Sequence, residues 1–330
     1  MKITNVNYKG VYFVILIIPI IILLIDQKQI QNLFTQSSNS ELLNTIIPVA
    51  NLSQKLPSAI IIGVAKCGTG TLLEFIAQHP NVVGDGYKDV HYFNIESNYK
   101  KGLDWYRSQM PFSNEKQITI EKTPAYFRDY YTPERVHAMN PSIKLVVIVC
   151  DPVPRAVSCY LQRKVGGYCP QLNSLVKKNL SDSENFRELY YDNLKVGWKN
   201  VCNVFKYGLY YEQIKHWLKY FPIEQILILN GDQFKKEPSI AIDKLQSFLN
   251  LKQLITKEHF VFNQTKGFYC LINAAIRSEF KCMSSEGVDQ KGRKHPEIDP
   301  DILKELRNNY YKSSNINFFK LINETPWWPI

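Results

Sequence analysis

An isoleucine-rich run over residues 58–64 leads straight into Gly63-Val-Ala-Lys66-Cys67-Gly68-Thr69-Gly70-Thr71. Residues 69–79 then carry Leu72, Leu73 and Ile76 at helical spacing. A short apolar run of this kind reads as a strand buried on both faces. Strand, glycine-rich turn and helix, in that order, aim backbone N–H groups and a helix N-terminus at an anion. Lys66 adds a mobile positive charge, and Thr69 and Thr71 add hydroxyls. A nucleoside-triphosphatase loop has the form Gly-x-x-x-x-Gly-Lys-Ser/Thr. Gly63 and Gly68 have that separation, but Thr69 stands where the lysine belongs and the lysine lies inside the loop. The pattern therefore argues against a Mg²⁺-assisted grip on a β,γ-phosphate. Taken alone, a glycine-rich turn before a helix is more often only a turn, so its meaning depends on its surroundings.

Those surroundings repeat the alternation. Residues 144–149 form a second apolar run, followed by a helical pattern over 152–163. Residues 225–229 form a third, after an amphipathic stretch around Ile214, Trp217 and Leu218. Strands alternating with helices imply an α/β fold with a central parallel sheet, whose ligands bind at the carboxyl ends of the strands. Hydrophobic residues make up 45% of the 330-residue chain, which excludes wholesale disorder. The formal charge of +10 favours an anionic partner: nucleic acid, a membrane surface, a nucleotide or an acidic polymer.

Residues 11–25 are uninterruptedly apolar. At ~1.5 Å per residue they reach roughly 22 Å, short of a hydrocarbon core of about 30 Å unless Tyr8, Lys9 and Lys28 extend the span. A cleaved signal peptide is disfavoured because Asp26-Gln27-Lys28-Gln29 offers no small-residue cleavage site. A buried core helix would carry some polar residues. The reading is an uncleaved transmembrane signal anchor at 11–25, behind a cytosolic tail at 1–10. Lys2 and Lys9 on the leading side orient it as a single-pass type II protein. Residues 26–56 read as a stem and 57–330 as a lumenal domain on a Golgi membrane. Asn51, Asn179, Asn263 and Asn323 begin glycosylation sequons, a weak signal of the same compartment.

From about Ser58 to the C-terminus the chain resembles the PAPS-dependent heparan sulfate glucosamine 3-O-sulfotransferases. Residues 60–75 look like the 5′-phosphosulfate loop of that family. The resemblance continues through Val90-His91-Tyr92-Phe93, Gly102-Leu-Asp-Trp105-Tyr106, Glu121-Lys122-Thr-Pro-Ala-Tyr-Phe127 and Asp151-Pro152. It extends to Asn263-Gln-Thr-Lys266-Gly-Phe-Tyr-Cys270 and Lys291-Gly292-Arg293-Lys-His295-Pro296. It implies a three-layer, P-loop-like sulfotransferase fold. It also implies transfer of a sulfuryl group from PAPS (3′-phosphoadenylyl sulfate), leaving PAP, to a glucosamine hydroxyl, with 3-O preferred over N- or 6-O-sulfation. The partner is then heparan sulfate or a related acidic polysaccharide and not nucleic acid, and no metal is expected in the transfer step.

The resemblance also assigns roles. Asp89, where the family has Glu, is the base for the acceptor hydroxyl, although one methylene shorter. His91 shares a face with it if the segment is extended. Lys66 bridges the leaving phosphate and the sulfuryl group, and Lys122 adds charge near the acceptor. Lys66, Cys67, Gly68, Thr69, Gly70 and Thr71 cradle the donor, while Lys291, Gly292 and Arg293 close over it. Trp105 and Lys266 join Lys122 at the acceptor. The family's arginine for the donor 3′-phosphate precedes Asp-Pro and is here Cys150. Ser158 keeps its place in that pocket, with Arg155 as a substitute. These departures leave open a weakened homologue that binds glycan or nucleotide without efficient transfer. Cys270 and Cys282 match the family's disulfide, and Cys169 with Cys202 is a second candidate pair. Cys67, Cys150 and Cys159 are left over, so at least one thiol is free.

Overall fold

The computed structural model describes residues 52–86, 88–167, 169–195, 204–265, 267–272, 280–281 and 294–330. The expected anchor and tail, and all but the last residues of the expected stem, lie outside the described residues. Among the described residues no helix is long and apolar enough to cross a membrane.

The isoleucine-rich run forms β1 (Ala59–Gly63), with every residue buried. Around it stand β2 (Val82–Val83), β3 (Ile118–Lys122), β4 (Lys144–Val149) and β5 (Ile226–Asn230), all parallel, in the order β2-β3-β1-β4-β5. The strands expected near 58–64, 144–149 and 225–229 are thus β1, β4 and β5. Helices α1 (Thr69–Ile76) and α2 (Gly102–Ser108) link the first strands, and α3 (Thr132–Met139) precedes β4. Helix α4 (Pro152–Gly166) follows β4 and outlasts its expected end by three residues. Its start matches the sequence pattern: the Asp151 side chain accepts from the Val153 N–H, with proline in the first turn.

Strand order reverses between β1 and β4, since the chain fills one side of β1 before crossing to the other. In an open parallel sheet that reversal opens a crevice at the carboxyl ends of the two strands. The loops leaving β1 and β4 both emerge there. Further along, α5 (Tyr210–Trp217) precedes β5, and α6 (Gly231–Lys236) and α7 (Pro238–Phe248) follow it. A three-stranded antiparallel sheet of β6 (Phe260–Asn263), β7 (Phe268–Ile272) and β8 (Phe280–Lys281) comes next. Helices α8 (Pro300–Glu305) and α9 (Lys312–Leu321) close the chain.

One core cluster surrounds the parallel sheet, where α1 contributes Leu72, Leu73, Phe75 and Ile76. A second lies on the other side of α4, built from Val157, Tyr160, Leu172, Phe186, Tyr190 and Tyr311 among others. Gly63 is needed at the end of β1 because a Cβ there would sit 2.5 Å from the Phe127 Cβ.

Candidate active site

The loop after β1 ends at Gly68, whose φ of 102° lies in the left-handed region that glycine tolerates. This turn lets the chain enter α1 with no side chain capping the helix and no acidic residue in its first turn. The N–H groups over Thr69, Gly70 and Thr71 thus stand at the helix start without a side-chain cap, an arrangement that can receive an anion. Lys66 also has positive φ, 77°. Burial and the charges of Lys235 and Lys66 push the His295 imidazole below its ordinary value, with burial the larger cause. His295 thus lies within electrostatic reach of Lys66. Lys291, Gly292 and Arg293 themselves lie outside the described residues.

Cys67 in this loop is joined by a disulfide to Cys150 at the end of β4, with Cα atoms 5.4 Å apart. From sequence alone neither cysteine has a disulfide partner, and the structure corrects this. Adjacent parallel strands end side by side, so residues far apart in the chain meet at disulfide distance. Cys159 is free and buried, as the count of leftover thiols required. Cys169 and Cys270 are also disulfide-bonded. Cys202 and Cys282, their proposed partners, lie outside the described residues. The Tyr210 hydroxyl donates to the Cys150 carbonyl at 2.8 Å and packs beside the Cys67 sulfur. The loop that carries Lys66 is therefore covalently tied to the far wall of the crevice.

At the neighbouring strand end, Lys122 is the last residue of β3 and is buried. Its ammonium pairs with one oxygen of Asp89. The other Asp89 oxygen faces the His91 Nε2 at 4.0 Å, and His91 Nδ1 lies 3.2 Å from the Asn94 side-chain oxygen. The segment is not the extended one that would put Asp89 and His91 on a common face. His91 has φ 54°, and this left-handed kink swings its ring toward the carboxylate. Asp89, His91 and Lys122 are thus brought together, with Asp89 the most exposed of the three.

Beneath them lies a carboxylate that the sequence reading passed over. Glu121 is 4% exposed and accepts from the Thr123 hydroxyl at 2.5 Å and the Tyr106 hydroxyl at 3.2 Å. Burial, with the like charge of Asp89 adding to it against these hydrogen bonds, pushes its carboxyl up to about 7. The available signal was its place one residue before Lys122 in a strand, where side chains alternate faces.

The remaining expected residues divide. Ser158 is half-buried on α4. Beside it on that helix, Pro154 and Val157 line a cleft of about 440 Å³ whose far wall carries His295, Lys304 and Arg307. Arg307 donates to Asp151 at 2.7 Å. Arg155 does not line the crevice, contrary to expectation. It is 1% exposed, donates to the Val204 carbonyl, and sits beside Tyr311 and Cys159 of the second core cluster and Tyr210 of the first. The i, i+3 relation to Ser158 did not bring the two to one surface, because Arg155 shares the core-facing stripe of α4 with Ala156 and Cys159. Trp105 is partly buried against the sheet core, 6.1 Å from the Tyr92 ring, with the Lys101 ammonium 4.3 Å from its own ring. Lys266 lies outside the described residues. Of the sequons, Asn179 and Asn323 are exposed, Asn263 is half-buried in β6, and Asn51 lies outside the described residues.

Comparison with known proteins fits this geometry. Residues 56–317 match the sulfotransferase domain family. Over 286 residues the chain is 41% identical to heparan sulfate glucosamine 3-O-sulfotransferase 5 of Mus musculus, covering 84% of this chain and 76% of the mouse protein. Human heparan sulfate glucosamine 3-O-sulfotransferase 3B1 is 39% identical over 277 residues, covering 84% of this chain and 66% of that protein. Among solved structures, a sulfotransferase from Alicyclobacillus acidocaldarius superposes with a TM-score of 0.57 at 20% identity. That match covers 82% of this chain and 97% of the bacterial one, and it shows the shared fold. The crevice, its phosphate loop and the family match make the chain a sulfotransferase enzyme. Within that class, it belongs to the heparan sulfate glucosamine 3-O-sulfotransferase family.

Proposed function

We propose that this protein transfers a sulfuryl group from PAPS to the 3-hydroxyl of glucosamine in heparan sulfate. The observation that carries the reading is the meeting, at the carboxyl ends of adjacent strands β1 and β3, of an uncapped helix N-terminus with Lys66 and of Asp89 with Lys122. The loop and helix end fit a phosphosulfate: they offer N–H donors and no acidic side chain.

In this reading Asp89 accepts the proton of the attacking hydroxyl through the carboxylate oxygen not held by Lys122. The acceptor oxygen gains the bond to sulfur as the sulfur–oxygen bond to the donor phosphate breaks. Lys66 and the N–H groups of the loop receive the charge left on that phosphate. Lys122 holds Asp89 in place, and His91 faces its free oxygen. The cleft along α4, with Ser158 nearby, would take the nucleoside end, and Arg307, Lys304 and His295 supply its polar wall. The apolar run at 11–25 and the flanking lysines support a type II Golgi anchor with this domain in the lumen.

The test is incubation of the full chain with labelled PAPS and heparan sulfate, followed by disaccharide analysis of the product. Label at the glucosamine 3-position is expected. No label above a Lys66→Ala control would sink the reading. A second reading, a homologue that binds glycan but transfers slowly or not at all, is favoured by one observation: the Cys67–Cys150 bond stands where the resemblance expects the arginine for the donor 3′-phosphate. Calorimetry with PAP separates the two. No detectable PAP binding would support the second.

A further inference from the structure

Thr123 follows β3 and is fully buried, and its hydroxyl makes three hydrogen bonds. It accepts from the backbone N–H of Val90 at 3.0 Å and of His91 at 3.3 Å. With both lone pairs so engaged, its one proton goes to Glu121 at 2.5 Å. The next amide in the segment, Tyr92 N–H, donates to the Tyr126 hydroxyl at 2.9 Å. Three consecutive amides of the segment that follows Asp89 are thus gripped by side chains from the stretch after β3.

The grip matters because the segment is in an unfavourable shape. His91 lies in the left-handed region, with φ 54°, which a residue with a Cβ enters only against steric cost. The Asn98 side chain reaches the Val90 and His91 carbonyls at 3.4 and 3.3 Å, but without the Thr123 hydroxyl the two amides lose their acceptor and the backbone is freed to relax toward extended φ. Asp89 and His91 would then lose their common target. Glu121 fixes the hydroxyl: its Oε1 accepts the Thr123 proton while Tyr106 holds Oε2.

We propose that Thr123, oriented by Glu121, is a positioning residue for the reaction, which sets Asp89 and His91 on the acceptor hydroxyl by fixing the backbone between them. The inference rests on the sulfotransferase reading of this site and on Asp89 as its base. Neither Thr123 nor Glu121 touches the substrate in it.

The experiment compares wild type, Thr123→Val and Thr123→Ser in the full chain. Steady-state sulfation of heparan sulfate by PAPS and calorimetric PAP affinity are measured for each. Thr123→Val keeps the shape and removes the hydroxyl. A displacement of ~1 Å at the base costs about 10²-fold in turnover. The expected result is therefore a fall in kcat of about 100-fold for Thr123→Val, with PAP affinity and the KM for PAPS unchanged and with Thr123→Ser restoring most of the turnover. Unchanged kcat in Thr123→Val overturns the inference. So does loss of PAP affinity in step with kcat, which would make the hydroxyl a general support of the fold, and so does a Thr123→Ser variant as impaired as Thr123→Val. Absence of turnover in wild type is a separate result, which overturns the sulfotransferase reading itself.

Discussion

The Cys67–Cys150 bond should account for a large share of the stability of the fold. Replacing both cysteines by alanine tests this. The bond closes a loop with a sequence separation of 83, so it removes about 15 cal/mol/K of chain entropy from the unfolded state, or about 4.5 kcal/mol at 25 °C. Measured disulfides more commonly give about 2–4 kcal/mol, because unfolded chains retain structure. Against a total of roughly 5–15 kcal/mol for a folded domain, a loss in that range is severe. The assay is urea unfolding of the wild type and the double variant under non-reducing conditions. The midpoint should fall, and the m-value should rise because the unfolded chain without the cross-link exposes more surface. Both cysteines are buried, at 0% and 2% exposure, so the native protein should also resist reductant that readily reduces the unfolded chain. A change below about 1 kcal/mol with an unchanged m-value would refute the reasoning, since the cross-link would then not be restraining the unfolded chain. PAP affinity in the same variant reads the local consequence. Lys66 adjoins Cys67, and loosening the loop should weaken donor binding while the sheet stays folded.

Three further predictions concern the site. Relative to the double-alanine variant, which lacks the same cross-link, replacing Cys67 by alanine and Cys150 by arginine, the residue the family resemblance expects there, should raise PAP affinity by about 10- to 100-fold, as a charged hydrogen bond of ~1.5–3 kcal/mol implies. Unchanged calorimetric affinity would place the 3′-phosphate away from residue 150. Asp89→Asn should abolish transfer, whereas Asp89→Glu should preserve or raise it; full activity in the asparagine variant removes Asp89 from the base role. Glu121 predicts a pH dependence of stability. Its carboxyl titrates at about 7 in the folded protein against 4.5 unfolded, so the native state holds a proton that the unfolded state loses between those values. That contribution is fully present below pH 4.5 and is lost as pH rises to 7, by on the order of 3 kcal/mol. Denaturant unfolding should show the stability of wild type relative to Glu121→Gln falling across that window, and a pH-independent difference would contradict the assignment.

Much of the donor side of the crevice was legible from local pattern. A buried strand of isoleucines, a glycine with left-handed freedom at Gly68 and a helix with Leu72, Leu73 and Ile76 on one face are consecutive in the chain, so their geometry follows from neighbours in sequence. The Asp151 cap and the proline after it were legible for the same reason. The acceptor side was less so. Asp89, His91 and Lys122 were expected together through resemblance, but the kink that aims His91 depends on hydrogen bonds from residues more than 30 positions later. Arg155 shows the converse failure. Its helical position was read correctly, yet helical spacing does not say which face of α4 meets a core, and the second cluster took that face.

The sequence by itself determined an alternating α/β chain, a glycine-rich turn carrying Lys66 between a strand and a helix, and the residue types present there, because those depend on short-range periodicity and side-chain chemistry. Only the tertiary structure decided that Cys67 and Cys150 are one covalent unit, that Glu121 is a buried carboxyl sharing its burial with Thr123 and Tyr106, and that Arg155 serves the core. The third depends on which face of α4 meets the second cluster, and the first two on which strand ends lie side by side. That is set by sheet order, and sheet order is a property of long-range packing that no local pattern records.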